Sequence, residues 1–216
     1  MIDLLFPAFG ETIPTDHAYP LYATLAAVVP AFHEPDARLC FAPLGGTPDA
    51  PGRLRLTDFS RLRVRLPADR IPLALPLAGK RLDIAGHSVR LGVPTVTTLT
   101  PAPSLFARLV TINDTQQKRG DSKIISTPER FLDSVRIALT KASVQAEPSL
   151  PVILTGPRAG EPRRRVVRIK GRAIVGYSLL LSGLSAEDSI IVQESGLGGR
   201  TRMGCGFFLP ARMEGV

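Results

Sequence analysis

Apolar residues recur at helical spacing at Phe131, Val135, Ala138 and Leu139. Ser126-Thr-Pro-Glu129 just before them has the form of a capping box with proline in the first turn, so the spacing predicts a helix over 127–143. Upstream, 98–113 mixes β-branched and apolar residues and predicts a strand, with Leu105 as a late start; the polar run 114–123 predicts a loop. A Pro/Gly-rich loop covers 148–162. Two β-rich runs, 164–170 and 172–181, meet at Gly171 and predict a hairpin. Ser185-Ala-Glu-Asp188 opens a short helix through Ile190 and Val192 that ends near Gly196, and 204–209 predicts a last strand. The order is β-α-β-β-α-β, a ferredoxin-like unit.

The first half repeats this order. Residues 2–6 predict a strand, and Asp16 or Thr15 caps a helix with Leu21, Leu25, Val28 and Val29 on one face. Short strands follow at 54–56 and 62–66, then a helix at 69–77 weakened by Pro72 and Pro76, then a hairpin-like end at 80–91. The expected fold class is therefore α+β, two tandem ferredoxin-like (RRM-like) βαββαβ units, 1–97 and 98–216. The longest apolar stretch, 19–32, is broken by Pro20 and Pro30 and falls short of the roughly 20 residues a bilayer demands. No basic leader precedes the first apolar residues, so no signal peptide and no membrane are expected.

Charge changes the picture. The formal net charge is +8, and it is uneven: residues 1–100 carry ten Lys/Arg against nine Asp/Glu, residues 101–216 seventeen against ten. A basic second half implies a polyanionic partner or a solvated surface, and nucleic acid is the commonest such partner. Two cysteines, Cys40 and Cys205, make no disulfide framework and no CxxC zinc site, which fits a reducing cytoplasm. With 6% aromatic residues and no Trp, stacking of bases on aromatic platforms is not expected to dominate.

The densest chemistry lies at 196–208, Gly-Leu-Gly-Gly-Arg-Thr-Arg-Met-Gly-Cys-Gly-Phe-Phe. Gly196, Gly198, Gly199, Gly204 and Gly206 interleave with Arg200 and Arg202. Glycine lets amides face a phosphate, and arginine adds forked donors, so a phosphate-binding loop is expected; a glycine-rich turn that merely closes the fold is the alternative. Thr201 stands where G-x-G-x-x-G needs its third glycine, and no G-x-x-x-x-G-K-[ST] occurs, so neither a dinucleotide fingerprint nor a P-loop is present; a mononucleotide-binding enzyme is thereby disfavoured. Arg163, Arg164, Arg165, Arg168, Lys170 and Arg172 surround the expected hairpin. Val167 and Ile169 alternate with Arg168 and Lys170, giving one apolar and one basic face, suited either to RNA phosphates or to a charge-protected edge. Lys118, Arg119 and Lys123 form a second basic loop.

The pattern Gly196-Leu197-Gly198, then Gly199 to Met203, then Gly204-Cys205-Gly206 resembles the C-terminal signature of the CRISPR-associated repeat-processing endoribonucleases, the Cas-six family, and is most similar to its short myxobacterial-type branch. His17-Ala-Tyr-Pro-Leu-Tyr with Phe32-His33-Glu34, and Leu99 to Val110, resemble two further regions of that family. The resemblance implies the same tandem fold and a metal-independent, cofactor-free cleavage of CRISPR precursor RNA within repeats. The 2′-hydroxyl attacks the adjacent phosphate and leaves 2′,3′-cyclic phosphate and 5′-OH ends. It also implies a repeat stem-loop as partner, retained after cleavage, and other effector-complex subunits as further partners. His33 in Phe-His-Glu matches the family's catalytic position and His17 is the runner-up; at about 1.5 Å per helical residue the two stand roughly 20 Å apart and do not share one phosphate. Some members carry a mid-helix tyrosine and a lysine soon after the histidine. Here the helix middle is Ala26 and Ala27, and the cation soon after His33 is Arg38, a candidate for stabilising the transition state but a poor proton donor. The general acid is thus unassigned: Tyr19 and Tyr22 are candidates only by their nearness to His17, with helix packing as their main reading, and His87 is read as a turn residue. A non-catalytic repeat-binding subunit is the alternative function.

Overall fold

A computed structural model describes residues 1–112 and 127–211. The chain divides into two units: Met1–Leu99 with Arg202–Gly204, and Thr100–Thr201 with the described residues from Cys205 onward.

In the first unit, β1 (Ile2–Phe9) turns its Leu4, Phe6 and Ala8 into the core, the alternation of a half-buried strand. After β2 (Thr12–Pro14) comes α1 (Ala18–Val28), which buries Ala18, Leu21, Tyr22, Leu25 and Ala26. The expected face is present, but Val28 sits at its margin and Tyr22 and Ala26 lie within it. The N-cap falls on His17, one residue past Asp16 and two past Thr15, and the His17 side chain makes no capping bond. The remaining strands are β3 (Cys40–Ala42), β4 (Thr47–Ala50), β5 (Arg53–Arg55), β6 (Arg61–Leu66), β7 (Arg81–Ile84), β8 (His87–Leu91) and β9 (Thr95–Thr98). The main sheet runs β3-β6-β1-β8-β7. The strands β8, β1, β6 and β3 follow the ferredoxin-like order 4-1-3-2. β9 shares an edge of β1 with β8, pairing at Ile2 to Leu5 while β8 takes Ala8 and Phe9.

Two further expectations are corrected in this unit. Leu54 does not belong to the main sheet; β5 joins β2 and β4 in a separate three-stranded sheet, and β3 is the unit's second strand. Residues 69–77 do not form one helix. They split into a 3₁₀ turn, the four-residue α2 (Ile71–Ala74) and another 3₁₀ turn, because Pro72 and Pro76 cannot donate to a helical ladder.

On the second face of the main sheet, Asp3 of β1 lies opposite Arg65 of β6. Asp3 Oδ1 accepts from Arg65 Nε at 2.7 Å, and Oδ2 accepts from Arg65 Nη2 at 3.0 Å and from Arg63 Nη1 at 2.8 Å. Both Asp3 and Arg65 are buried, and the forked geometry keeps that charge pair satisfied.

The second unit contains β10 (Leu105–Val110), α3 (Pro128–Lys141), β11 (Glu147–Ser149), β12 (Arg164–Ile169), β13 (Arg172–Ser182), α4 (Ala186–Ser195) and β14 (Phe208–Pro210). β14, β10, β13 and β12 follow order 4-1-3-2, and β11 pairs with the far end of β13. Thr127 is the N-cap of α3, accepting from Arg130 N with Pro128 after it, so the cap falls one residue later than expected; Ser126 lies outside the described residues. Ser185 caps α4 by accepting from Asp188 N. Phe131, Val135 and Leu139 pack on Leu105, Ala107, Tyr177, Leu179 and Phe208. β14 is shorter than expected because Gly204 and Gly206 are left-handed, φ 78° and 63°. A bulge interrupts β10 between Ala107 and Val110, and Gly176 lies against it: a Cβ there would meet Val110 O at 2.1 Å. Among the described residues, no helix is long and apolar enough to cross a membrane.

Candidate functional site

Pro30 ends α1 and starts a 3₁₀ turn, Pro30–His33, that folds the chain back along the helix. His33 closes this turn and is exposed. Its Nδ1 lies 2.8 Å from Tyr22 Oη, eleven residues earlier, and the two rings meet edge to face at 5.5 Å. The phenol donates to the ring when the imidazole proton is on Nε2 and accepts when it is on Nδ1. In either state the ring is held, and Nε2 is its remaining nitrogen. Tyr22 is buried, so a rigid helix fixes the orientation of an exposed imidazole. Sequence reading missed this pairing: it set Tyr22 beside His17 and read it mainly as packing. The signal was present in a helix-breaking proline between a helical tyrosine and a histidine, but the direction of the turn was not.

Arg202 lies in a 3₁₀ turn, Thr201–Met203, and its Nη1 donates to the backbone carbonyl of His33 at 2.6 Å. Met203 packs on the first unit's core, and Gly204 is so close to Pro43 that a Cβ would sit 3.0 Å from its ring. Arg38, in the left-handed region at φ 52°, ends the next 3₁₀ turn, Pro35–Ala37. Its exposed side chain makes no hydrogen bond or ion pair among the described residues.

His17 has 0% exposure, and its Nδ1 donates to Pro14 O at 2.7 Å. A side chain sealed in the core does not reach a phosphate, so the reading of His17 as a second catalytic histidine is corrected: it ties the chain before α1 to the helix start. His87 Nδ1 lies 3.2 Å from Thr12 Oγ1, a link between β8 and β2.

The glycine-rich loop also departs from expectation. The amides of Gly196, Leu197, Gly199, Cys205 and Gly206 donate to Val192, Gly206, Thr111, Arg200 and Leu109 carbonyls. They are spent inside the protein, and an amide seat built from them for phosphate is corrected. The glycines permit close packing: a Cβ at Gly198 would meet Thr111 O at 2.4 Å, and one at Gly206 would meet Leu197 O at 2.2 Å. What the loop offers to a ligand is its arginines, with Arg200 half-buried at φ 63°.

In the hairpin, Ile169 pairs with Arg172, and Lys170 and Gly171 both have positive φ, 49° and 77°, which makes a two-residue turn matched to strand twist. Arg164, Arg168, Lys170 and Arg172 are exposed, while Val167 is buried with Ile169 beside it. Arg163 and Arg165 are half-buried, and Arg165 shares a face of the sheet with Val167. Burial first, then the charges of Arg108 and Arg163, hold the Arg165 guanidinium below its ordinary value; burial does the same to Arg108. Arg108 was not singled out from the sequence, where it is one polar residue inside an expected strand. Lys118, Arg119 and Lys123 lie outside the described residues.

By fold the chain is an α+β protein with two ferredoxin-like units, and solved structures share that architecture over nearly its whole length. A Cas6-related protein from Pyrococcus furiosus aligns over 99% of this chain and 98% of its own at TM-score 0.69 and 15% identity. A RAMP protein described as binding different RNA substrates aligns over 96% and 97% at TM-score 0.65 and 16% identity. Thermus thermophilus Cse3 bound to a pre-cleavage RNA aligns over 98% and 100% at TM-score 0.51 and 14% identity. The family model described as Cas6 Crispr matches residues 2–213, and the CRISPR-associated endonuclease Cas6 of Myxococcus xanthus is 39% identical over 209 residues, 97% of this chain and 81% of its own. The chain belongs to the Cas6 family.

Proposed function

We propose that this protein is a metal-independent endoribonuclease that cuts CRISPR precursor RNA within its repeats, in the cytoplasm, and keeps hold of the repeat stem-loop. The observation that carries this reading is the 2.8 Å pairing of exposed His33 with buried Tyr22. A lone surface histidine needs no such support, whereas one that must meet a 2′-hydroxyl in a fixed direction does. The 39% identical relative, named an endonuclease, supports it.

The reaction has three demands. His33 Nε2 takes the proton of the 2′-hydroxyl as its oxygen attacks phosphorus. The P–O5′ bond then breaks, leaving a 2′,3′-cyclic phosphate, and the departing O5′ takes up a proton to become a 5′-hydroxyl. Negative charge on the phosphorane is met by guanidinium groups, for which Arg202, held at the His33 carbonyl, and Arg38 are the candidates. Tyr22 acts through His33 as a positioning residue. Arg200 and the exposed hairpin residues Arg164, Arg168, Lys170 and Arg172 hold the RNA backbone.

Incubating the protein with repeat RNA in EDTA gives a single cut with a cyclic phosphate end. His33→Ala lowers the single-turnover rate by at least roughly 100-fold with binding retained. Tyr22→Phe, which keeps the ring but frees the imidazole, lowers the rate by about 10-fold without weakening binding. Cleavage by His33→Ala at the wild-type rate would sink the assignment. Tight repeat binding with no cleavage at any pH from about 6 to 9 selects the non-catalytic effector subunit instead.

A further inference from the structure

We propose that Arg108, Arg163 and Arg165, gathered around the buried Ser178 on the sheet of the second unit, form a seat for one phosphodiester of the bound RNA. The inference rests on the reading of this protein as RNA-binding, and it adds a site that the exposed hairpin face does not provide.

The geometry comes from three strands. Arg108 sits on β10 at the bulge, where the backbone is re-aimed. Arg165 on β12 pairs with Gly176 on β13, a position with no side chain, and its Nε donates to Ser178 Oγ at 3.4 Å. Ser178 Oγ donates to the Arg108 carbonyl at 2.7 Å, and Ser178 N donates to the Arg163 carbonyl at 3.0 Å. Ser178 is completely buried, so it acts as a fixed post between β10, which carries Arg108, and the start of β12, where Arg163 precedes the strand and Arg165 lies on it. Among the described residues, the Arg163 side chain donates to the Val152 carbonyl alone, at 3.5 Å, the outer limit of a hydrogen bond.

The charge does not balance. Among the described residues none of these three guanidiniums has a carboxylate within ion-pair distance, in contrast to Arg136 with Asp133 and Arg158 with Glu161. Burial and mutual repulsion both disfavour the charged cluster, as the lowered Arg108 and Arg165 values record. A fold that draws half-buried like charges together without an acid loses stability unless an anion completes the set. Guanidinium forks match phosphate oxygens in a planar, paired geometry that lysines do not offer. The anion is taken to be an RNA phosphodiester because the same β12 presents Arg164 and Arg168 on its exposed face.

The test uses the full chain carrying His33→Ala, so that repeat RNA is bound but not cut. Arg108→Gln should weaken binding about 10-fold at moderate salt and flatten the plot of log affinity against log salt by up to roughly 0.7. Its melting temperature without RNA should stay level or rise, because a half-buried like charge has gone. Arg108→Lys should keep the salt slope while recovering only part of the affinity, and Arg165→Gln should repeat the slope change. A lower melting temperature with an unchanged salt slope would make Arg108 a structural residue and overturn the seat. Inorganic phosphate is the second probe. If it raises the melting temperature of the parent but not of Arg108→Gln, while the two bind RNA equally, the site takes a free anion and its assignment to RNA falls. If the parent binds no repeat RNA at any salt, the reading beneath the proposal fails first.

Discussion

Asp3 and Arg65 show how one residue can break the alternation of a strand and still belong in it. The even positions of β1 feed the core, so an odd-numbered aspartate ought to meet water, yet Asp3 is buried opposite a buried arginine. Removing a charged partner from the interior leaves the other uncompensated. Asp3→Ala is expected to cost about 3–5 kcal/mol, read as a lower urea midpoint at unchanged slope. A loss under about 1 kcal/mol would mean that water screens the pair as it screens surface pairs. His17 carries a related lesson. Its sequence context offered a catalytic runner-up, and burial speaks against that role. What could not be read from the chain was which histidine the core would swallow, because that depends on how the turn before α1 closes through Pro14.

At the scale of elements, the second unit was the more legible. Alternation through Arg164 to Ile169, a turn at Gly171 and the cap at Ser185 are local signals, and each element stands within a few residues of its expected place. The expected fold class of two tandem ferredoxin-like units holds. The misses were non-local. β3 is three residues long and becomes a strand only because β6 pairs with it. Tyr22 meets His33 only because Pro30 turns the chain, and Arg108 and Arg165 share a sheet only because β10 and β12 both pair with β13. The glycine-rich loop was legible as composition but not as hydrogen bonding, since the amide of Gly199 pairs with Thr111, 88 residues away, and that of Gly206 with the still more distant Leu109. Its glycines therefore answer to packing. Gly206→Ala, at φ 63° with backbone 2.2 Å from the new Cβ, is expected to destabilise the fold by more than about 2 kcal/mol. Gly199→Ala, whose nearest neighbour would be Thr111 O at 3.8 Å, is expected to cost under about 1 kcal/mol. Equal losses in thermal denaturation would show that the loop relaxes freely and that close approach does not constrain it.

Over the whole molecule, charge is the property that no single element owns. The excess of seventeen basic over ten acidic residues in 101–216 creates a field that draws in any polyanion before any contact is specific. RNA lacking the repeat sequence is expected to bind weakly at low salt and to lose affinity log-linearly as salt rises, measured by filter binding. A flat response would mean that these cations are neutralised within the protein. Chain order has its own effect on this architecture. The first unit includes Arg202–Gly204, so a ribosome that has emitted the first hundred residues has not yet made all of that unit. Its histidine carbonyl waits for an arginine translated 169 codons later. A premature stop just before Arg202 would thus leave the His33 carbonyl without that donor, although residues 1–99 of the unit had long been synthesised.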